Sequence, residues 1–209
     1  MATQYKVKQG DHISSIAEQF GFRDYRTIWN DANNAQLKEA RQNPNVLYPG
    51  DQIVIPDKME KHEACATGRR HRFKVAIPKL MLRIRVKNIN SKPVINKPCT
   101  LQVDGASYKL TTDGDGLIER AIPATAKAGK LVIGDVEFPL RIGHLDPVDK
   151  TSGWRARLNN LGYIAGEFDD VDDPQLVSAL QEFQCDYGLK VDGICGPKTQ
   201  EKLKEIHGC

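Results

Sequence analysis

The sequence predicts a multidomain α+β protein: an N-terminal βααβ module, an all-β sandwich and a C-terminal three-helix bundle. Three observations lead there. The chain has 209 residues, which suits two or three compact units better than one. Its apolar residues fall at helical spacing near both ends and in short alternating runs between them. Polar stretches and Gly or Pro signals separate these regions. The boundaries drawn are 1–57 for the first module, 58–71 for a linker, 72–145 for the sandwich and 146–209 for the helices.

In the first module, Gln4–Val7 shows short β-type alternation, and Gly10-Asp11 marks a turn with Asp11 placed to cap the first helix. Ile13, Ile16, Ala17 and Phe20 lie at i, i+3, i+4 and i+7, one face of an amphipathic helix that Gly21 ends. Asp24 caps a second helix carrying Ile28 and Trp29. A polar loop containing Asn43-Pro44-Asn45 leads to the turn Leu47-Tyr48-Pro49-Gly50-Asp51 and to a strand, Gln52–Ile55, closed by Pro56. Two helices on a two-stranded antiparallel sheet bury one small core.

These residues resemble a known family. Tyr5-x-Val7-x-x-Gly10-Asp11-x-Ile13-x-x-Ile16-Ala17-x-x-Phe20-Gly21 is similar to the opening of a LysM module. Ile28-x-x-x-x-Asn33 and Leu47-x-Pro49-Gly50-x-x-Ile53-x-Ile55-Pro56 are similar to its close. The stretch Ala35–Asn45 is longer than the family's usual loop. The resemblance implies binding of N-acetylglucosamine-containing glycan, in peptidoglycan or chitin, in a groove between the first turn and the loop before the second strand. Carried onto this chain, the groove residues are Gly10, Asp11, His12, Ile13, Asn45, Val46, Leu47 and Tyr48. The chemistry suits such a sugar: turn backbone can hold its amide, and an apolar floor such as Ile13 and Leu47 can take its methyl group.

The middle of the chain opens with a polar linker, Met59–His71, ending in the basic run Arg69-Arg70-His71-Arg72, which reads as a solvated face. The strand pattern starts at Arg72. Expected strands are Leu80–Lys87, Thr100–Val103, Ser107–Thr112, Leu117–Ile122, Lys130–Ile133 and Val136–Ile142, with Asp113-Gly114-Asp115-Gly116 as a hairpin-type turn. Turn-bounded strands at this spacing suggest a sandwich. The Thr-Asp-x-x-Gly turn resembles those of small Ig-like or transthyretin-like spacer domains. Asp113 and Asp115 lack the further oxygens and distal Glu of a calcium loop.

In the last segment, Asp149 or Ser152 can cap a helix bearing Trp154, Leu158 and Leu161, stopped by Gly162. Leu176, Leu180, Phe183 and Tyr187 stripe a second helix, stopped by Gly188, and Gly196-Pro197 opens a third with Leu203 and Ile206 inward and Gly208 at its end. Leu158-Asn159-x-Leu161-Gly162-Tyr163, Ala179-Leu180-x-x-Phe183-Gln184 and Gly188-Leu189-x-Val191-Asp192-Gly193-Ile194-x-Gly196-Pro197-x-Thr199 resemble the three-helix peptidoglycan-binding domain. That resemblance points to Tyr163, Phe183, Asp192, Gly193, Gly196 and Thr199. The family's first Gly-Pro loop is replaced here by the acidic Phe168–Pro174.

No catalytic set emerges, and the chain is expected to be non-enzymatic. The histidines are scattered singly, without metalloprotease spacing, and His62-Glu63-Ala64-Cys65 sits in the linker, so no metal or other cofactor is expected. Five cysteines cannot all pair internally, although Cys185, Cys195 and Cys209 lie close enough in sequence for one bridge. His207-Gly208-Cys209 resembles the nucleophile motif of wall L,D-transpeptidases, but it follows a helix rather than lying inside a β-rich catalytic domain. Balanced charges with a net of only +3 do not predict a nucleic-acid binder, and no nucleic-acid partner is expected. No apolar run of about 18 residues is present to span a membrane. The N-terminus shows no charged leader and apolar run, so export without a classical signal peptide after cytoplasmic synthesis is expected. The sequence therefore reads as a bivalent wall-binding protein of the bacterial periplasm or cell wall. LysM-like modules of this kind also occur in type VI secretion machines and phage tails, and that resemblance implies an alternative partner, a protein of a contractile injection machine.

Overall fold

The computed structural model describes residues 2–59, 64–72, 80–88, 90, 92–167 and 173–209. His62 and Glu63 of the linker, residues 73–79 at the expected start of the sandwich and 168–172 of the acidic loop lie outside the described residues.

In the N-terminal unit, β1 (Thr3–Lys6) pairs antiparallel with β2 (Gln52–Ile55), Tyr5 opposite Ile53. Helix α1 (Ile13–Gln19) buries Ile13, Ile16 and Ala17, and α2 (Arg26–Trp29) buries Ile28 and Trp29. These side chains form one cluster with Val7, Leu47, Ile53 and Ile55. The element order departs from βααβ. A 3₁₀ turn (Ala32–Asn34) leads into a third helix, α3 (Ala35–Arg41), where the sequence suggested a long polar loop. Its residues are strong helix formers. Only Leu37 packs on the core, so no apolar period betrayed it.

Two capping expectations also change, and the first is that Tyr25, not Asp24, holds the N-cap of α2, without a side-chain bond. His12, not Asp11, is the N-cap of α1: its Nδ1 accepts from the Ser15 amide at 3.4 Å, and the Ser15 hydroxyl oxygen accepts from the His12 amide at 3.1 Å. Asp11 instead accepts from the Tyr5 hydroxyl at 2.7 Å and from the Lys8 amide at 2.8 Å. The buried asparagine of this unit is Asn34. Its amide nitrogen donates to the Ile28 and Val54 carbonyls, and its oxygen accepts from the Val54 amide, each at 2.8 Å.

The middle region is sandwich-like. β3 (Leu80–Arg85) pairs with β6 (Leu117–Ile122); β4 (Pro98–Val103), β5 (Ala106–Thr111), β7 (Ala128–Ile133) and β8 (Val136–Arg141) form a second antiparallel sheet in the order β5-β4-β7-β8. Leu101, Val103 and Leu131 of one sheet and Ile118 and Ile122 of the other share one cluster. Asp113–Gly116 does not close a hairpin, because β5 pairs with β4 and β6 with β3; the turn carries the chain between sheets. Its carboxylate is occupied by backbone: Asp113 Oδ1 accepts from the Leu117 and Asp115 amides, each at 2.8 Å, which holds this carboxyl below its usual range. Gly116 is required at φ +71°, where a Cβ would come within 2.6 Å of the Val86 carbonyl oxygen.

Three helices form the C-terminal unit: α4 (Thr151–Leu161), α5 (Pro174–Asp186) and α6 (Pro197–His207). Leu158, Leu176, Leu180, Phe183 and Leu203 make its core. Pro174 and Pro197 open their helices, and Gly162 and Gly208 end theirs in left-handed conformations. Neither expected cap serves α4. Lys150 holds the N-cap position without a side-chain bond, and the Ser152 hydroxyl donates to Asp146 at 2.7 Å.

Replacing Asn34 with Ala leaves the Val54 amide without its acceptor in a buried setting. Unfolding in urea is expected to show a loss of about 1–3 kcal/mol with an unchanged slope.

Candidate functional site

The expected glycan groove lies between two backbone-built lips. The first lip, Lys8–Ile13, turns at Gly10, whose φ of +84° a non-glycine residue rarely adopts. The second, Asn43–Asp51, is organised by two carboxamide or carboxylate groups. Asn43 Oδ1 accepts from the Asn45 amide at 2.9 Å, and Asp51 Oδ2 accepts from the Tyr48 amide at 2.9 Å. Arg41 of the unexpected α3 clamps Asp51 with two hydrogen bonds of 2.8 and 2.7 Å. The Ile13 amide donates to the Pro44 carbonyl at 3.3 Å and joins the lips.

The structure brings all eight expected residues to this place, but at different depths. Ile13 and Leu47 belong to the core cluster and can only floor the groove. Gly10, His12 and Val46 are buried as well, although none is a member of that cluster. Asn45 is exposed, and Asp11 and Tyr48 are half-buried.

The burial of Gly10 and His12 has a cause the sequence did not disclose. The segment Ile142–Lys150, between β8 and α4, crosses both lips. A Cβ on Gly10 would lie 3.1 Å from His144 Nε2. A Cβ on Gly143 would lie 2.6 Å from the Gly10 carbonyl oxygen and 3.1 Å from His12 Cδ2. The Gln9 amide donates to His144 Nδ1 at 3.4 Å. On the far lip, Lys150 Nζ stands 5.2 Å from the centre of the Tyr48 ring, and Asp149 lies 3.9 Å from Arg41.

His12 is 2% exposed, and its Nδ1 accepts from Ser15, so the proton of the neutral ring sits on Nε2. Nε2 has no hydrogen-bond partner among the described residues. A buried donor left this way costs about 1–3 kcal/mol. Burial lowers the affinity of His12 for a second proton, opposed by Asp11 and reinforced by Lys127. His144 is shifted the same way, by burial and by Arg141.

In the C-terminal unit, three of the expected residues, Asp192, Gly193 and Thr199, gather around a side chain that no sequence pattern singled out as functional. Gln184 is 1% exposed. Its oxygen accepts from the Asp192 and Gly193 amides at 3.0 and 2.9 Å. Its nitrogen donates to Asp192 Oδ1 and the Ile194 carbonyl at 3.0 Å each, and to Thr199 Oγ1 at 3.3 Å. The one available signal was its position next to Phe183 on the buried face of α5. Asp192 and Gly193 are thereby fixed to α5 together with Thr199 of α6, and Gly193, at φ +69°, lies against Val177. On this loop Ile194 is 66% and nearby Val191 53% exposed, an apolar ledge open to solvent. Phe183 has no exposed surface and belongs to the core instead. Tyr163 stacks edge-on to Phe183 and donates to Asp186 at 2.8 Å, outside the loop's own bonds. Gly196 precedes Pro197 at the start of α6.

Two buried arginines, also missed, organise α4. Arg155 donates to the Glu167 carbonyl and to Asp173, the N-cap of α5. Arg157 donates to the carbonyls of Asp146, Gly153 and Cys209 at 2.8, 2.7 and 2.9 Å, which ties the segment before α4 to the end of α6.

All five cysteines are free thiols, so the bridge that the spacing allowed among Cys185, Cys195 and Cys209 is not formed. His207 Nδ1 lies 3.2 Å from Cys209 Sγ, and the Asn160 amide donates to His207 Nε2 at 3.0 Å. The ring proton therefore points at the sulfur. Burial raises the Cys209 thiol and lowers His207 to about 4, the reverse of what an activated thiolate requires. Among the described residues no group of three or more His, Cys, Asp or Glu is placed to hold a metal, and no helix is long and apolar enough to cross a membrane.

Comparison with known proteins assigns a domain family to each end of the chain. Residues 5–56 match the LysM domain and residues 154–203 the peptidoglycan binding domain, so the chain carries both domain families, which support cell-wall binding. It is 33% identical over 89 residues to the N-acetylmuramoyl-L-alanine amidase CwlM of Mycobacterium tuberculosis, covering 43% of this chain and 22% of the amidase. It is 44% identical over 45 residues to a protein from the bpoA1 3′ region of Kitasatospora aureofaciens, covering 22% of this chain and 38% of that protein. The chain thus spans well under half the length of these relatives. No solved structure matches it.

Two outcomes are expected. Gln184→Ala strips the Asp192 and Gly193 amides of their acceptor and the Ile194 carbonyl of its donor, and the C-terminal unit should lose about 2–3 kcal/mol in denaturant unfolding. Stability should also fall with pH below the ordinary imidazole range. The unfolded chain protonates His207 near 6.5, while the folded chain resists until about 4, so between those values the unfolded state binds more protons. A pH series of urea midpoints should show this decline, and His207→Gln should flatten part of it.

Proposed function

We propose that this protein is a non-enzymatic anchor that grips bacterial peptidoglycan at two places. The N-terminal groove takes N-acetylglucosamine-containing glycan through the lip backbone, with Asn45 and Tyr48 as its accessible side chains. The C-terminal unit meets the wall at the Asp192–Gly196 loop and its apolar ledge. The observation that carries this is the presence of a LysM domain and a peptidoglycan binding domain on one chain, at 5–56 and 154–203. Between them the sandwich acts as a spacer, with domain limits near 57, 71 and 145.

Physical chemistry favours the arrangement. Once one site holds the polymer, the second contact becomes intramolecular, which raises avidity on the order of 10²–10⁴ without any new contact. The ledge supplies apolar area for acetyl and alkyl groups, while the loop locked on Gln184 presents it without a large ordering cost. The amidase activity named for the mycobacterial relative stays with that protein, since the match covers 22% of its length. The chain would act at the periplasm or cell wall.

Sedimentation of the full chain with insoluble peptidoglycan tests the proposal. The wild type should sediment, and Asn45→Ala/Tyr48→Ala and Ile194→Asp should each weaken retention by at least about tenfold, as expected when one arm of a bivalent contact is lost. Retention unchanged in both variants would refute the bivalent anchor. Absence of sedimentation in the wild type would move the search to protein partners, such as a component of a contractile injection machine.

A further inference from the structure

We infer that Ile142–Lys150 is a built-in strap across the LysM groove, so that the free chain keeps its own glycan site closed until the wall displaces it. The inference rests on the reading of that groove as the glycan site.

The strap touches both lips. Gly143 and His144 lie on Gly10 and His12, while Asp149 and Lys150 reach Arg41 and Tyr48 on the opposite side. These are the backbone turn and the aromatic ring that a sugar would need to reach. The strap is also positively held. Ile142 donates to the Lys127 carbonyl at 2.9 Å, Asp146 accepts from Ser152 and Arg157, and Pro147 lies directly under Gly153, where a Cβ would come within 1.9 Å of the Pro147 carbonyl oxygen. It is therefore part of the folded body and not a loose tether.

Its hold on the groove is nevertheless incomplete. The strap covers the imidazole edge of His12 with Gly143, yet offers Nε2 no acceptor. A sugar acetamido carbonyl could accept from that Nε2, a bond the closed form lacks. The remaining contacts to the lips are a long amide–imidazole bond of 3.4 Å, an ion pair at 3.9 Å and a cation over a ring at 5.2 Å. Contacts of this kind are individually weak. A closed site that opens only a fraction of the time binds its ligand more weakly by that fraction. Capture of the wall by the C-terminal unit raises the local glycan concentration and removes this handicap. The strap joins β8 to α4, so it links the groove to the C-terminal unit.

The test uses the full chain and a soluble N-acetylglucosamine oligosaccharide. Two independent opened forms are compared with the wild type: His144→Ala/Lys150→Ala, and Gly143→Ala, whose new methyl would collide with Gly10. Calorimetry measures oligosaccharide binding, and amide hydrogen exchange follows residues 10–13 and 46–48. The strap predicts about tenfold tighter binding in the opened forms, together with faster exchange at both lips. Wild-type binding as tight as that of the opened forms overturns the strap and leaves the glycan reading standing. Faster exchange with no oligosaccharide binding in any form overturns the glycan reading, and with it the inference. Unchanged exchange in both opened forms overturns the strap outright.

Discussion

The contact on which the rest of the architecture depends is the seating of Ile142–Lys150 among the three units. Each unit has its own hydrophobic cluster, and none of the clusters shares a member with another. The units are joined by polar and local contacts: glycine backbone against glycine backbone at Gly10 and Gly143, a carbonyl under Gly153, and the guanidinium of Arg157 collecting carbonyls from either side of α4. Small clusters of this size give modest stability alone. A junction that removes freedom from the connecting segment lowers the entropy cost of ordering the units against each other.

The same device recurs inside each unit. Asn34 in the first, Thr112 in the second, and Gln184 and the two arginines in the third are buried polar side chains that tie loops to secondary structure. Buried amides and guanidinium groups demand nearly complete hydrogen bonding, so each fixes the loop around it in one conformation. In the C-terminal unit this fixes the backbone beneath the exposed Val191 and Ile194 from within, through Gln184. The second nitrogen of His12 is buried without a hydrogen-bond partner among the described residues, at the lip of the expected groove.

Much of the fold was legible because apolar spacing is a direct record of burial. Ile13, Ile16 and Ala17, then Leu176, Leu180 and Phe183, all lie inside as their spacing required. Glycine and proline marked Gly162, Pro197 and Gly208 because only their backbone preferences suit those positions. The failures have equally specific reasons. Helix α3 packs a single apolar side chain, so its helicity comes from propensity and not from pattern. The Asp113–Gly116 turn has the composition of a hairpin, yet pairing partners are chosen by distant strands, which composition does not encode. Asp11 and His12 compete for one capping role, and the choice follows from the Tyr5 hydroxyl, which engages Asp11 from across the unit.

By itself, the sequence determined the three-part organisation and the two terminal families, since these follow from local periodicity, turn chemistry and dense motifs at fixed spacing. Only the tertiary structure decided which motif residues reach the surface. Exposure is a property of everything that packs around a residue, including segments far along the chain. Gly10 and His144 are separated by most of the protein and meet only because the chain between them folds.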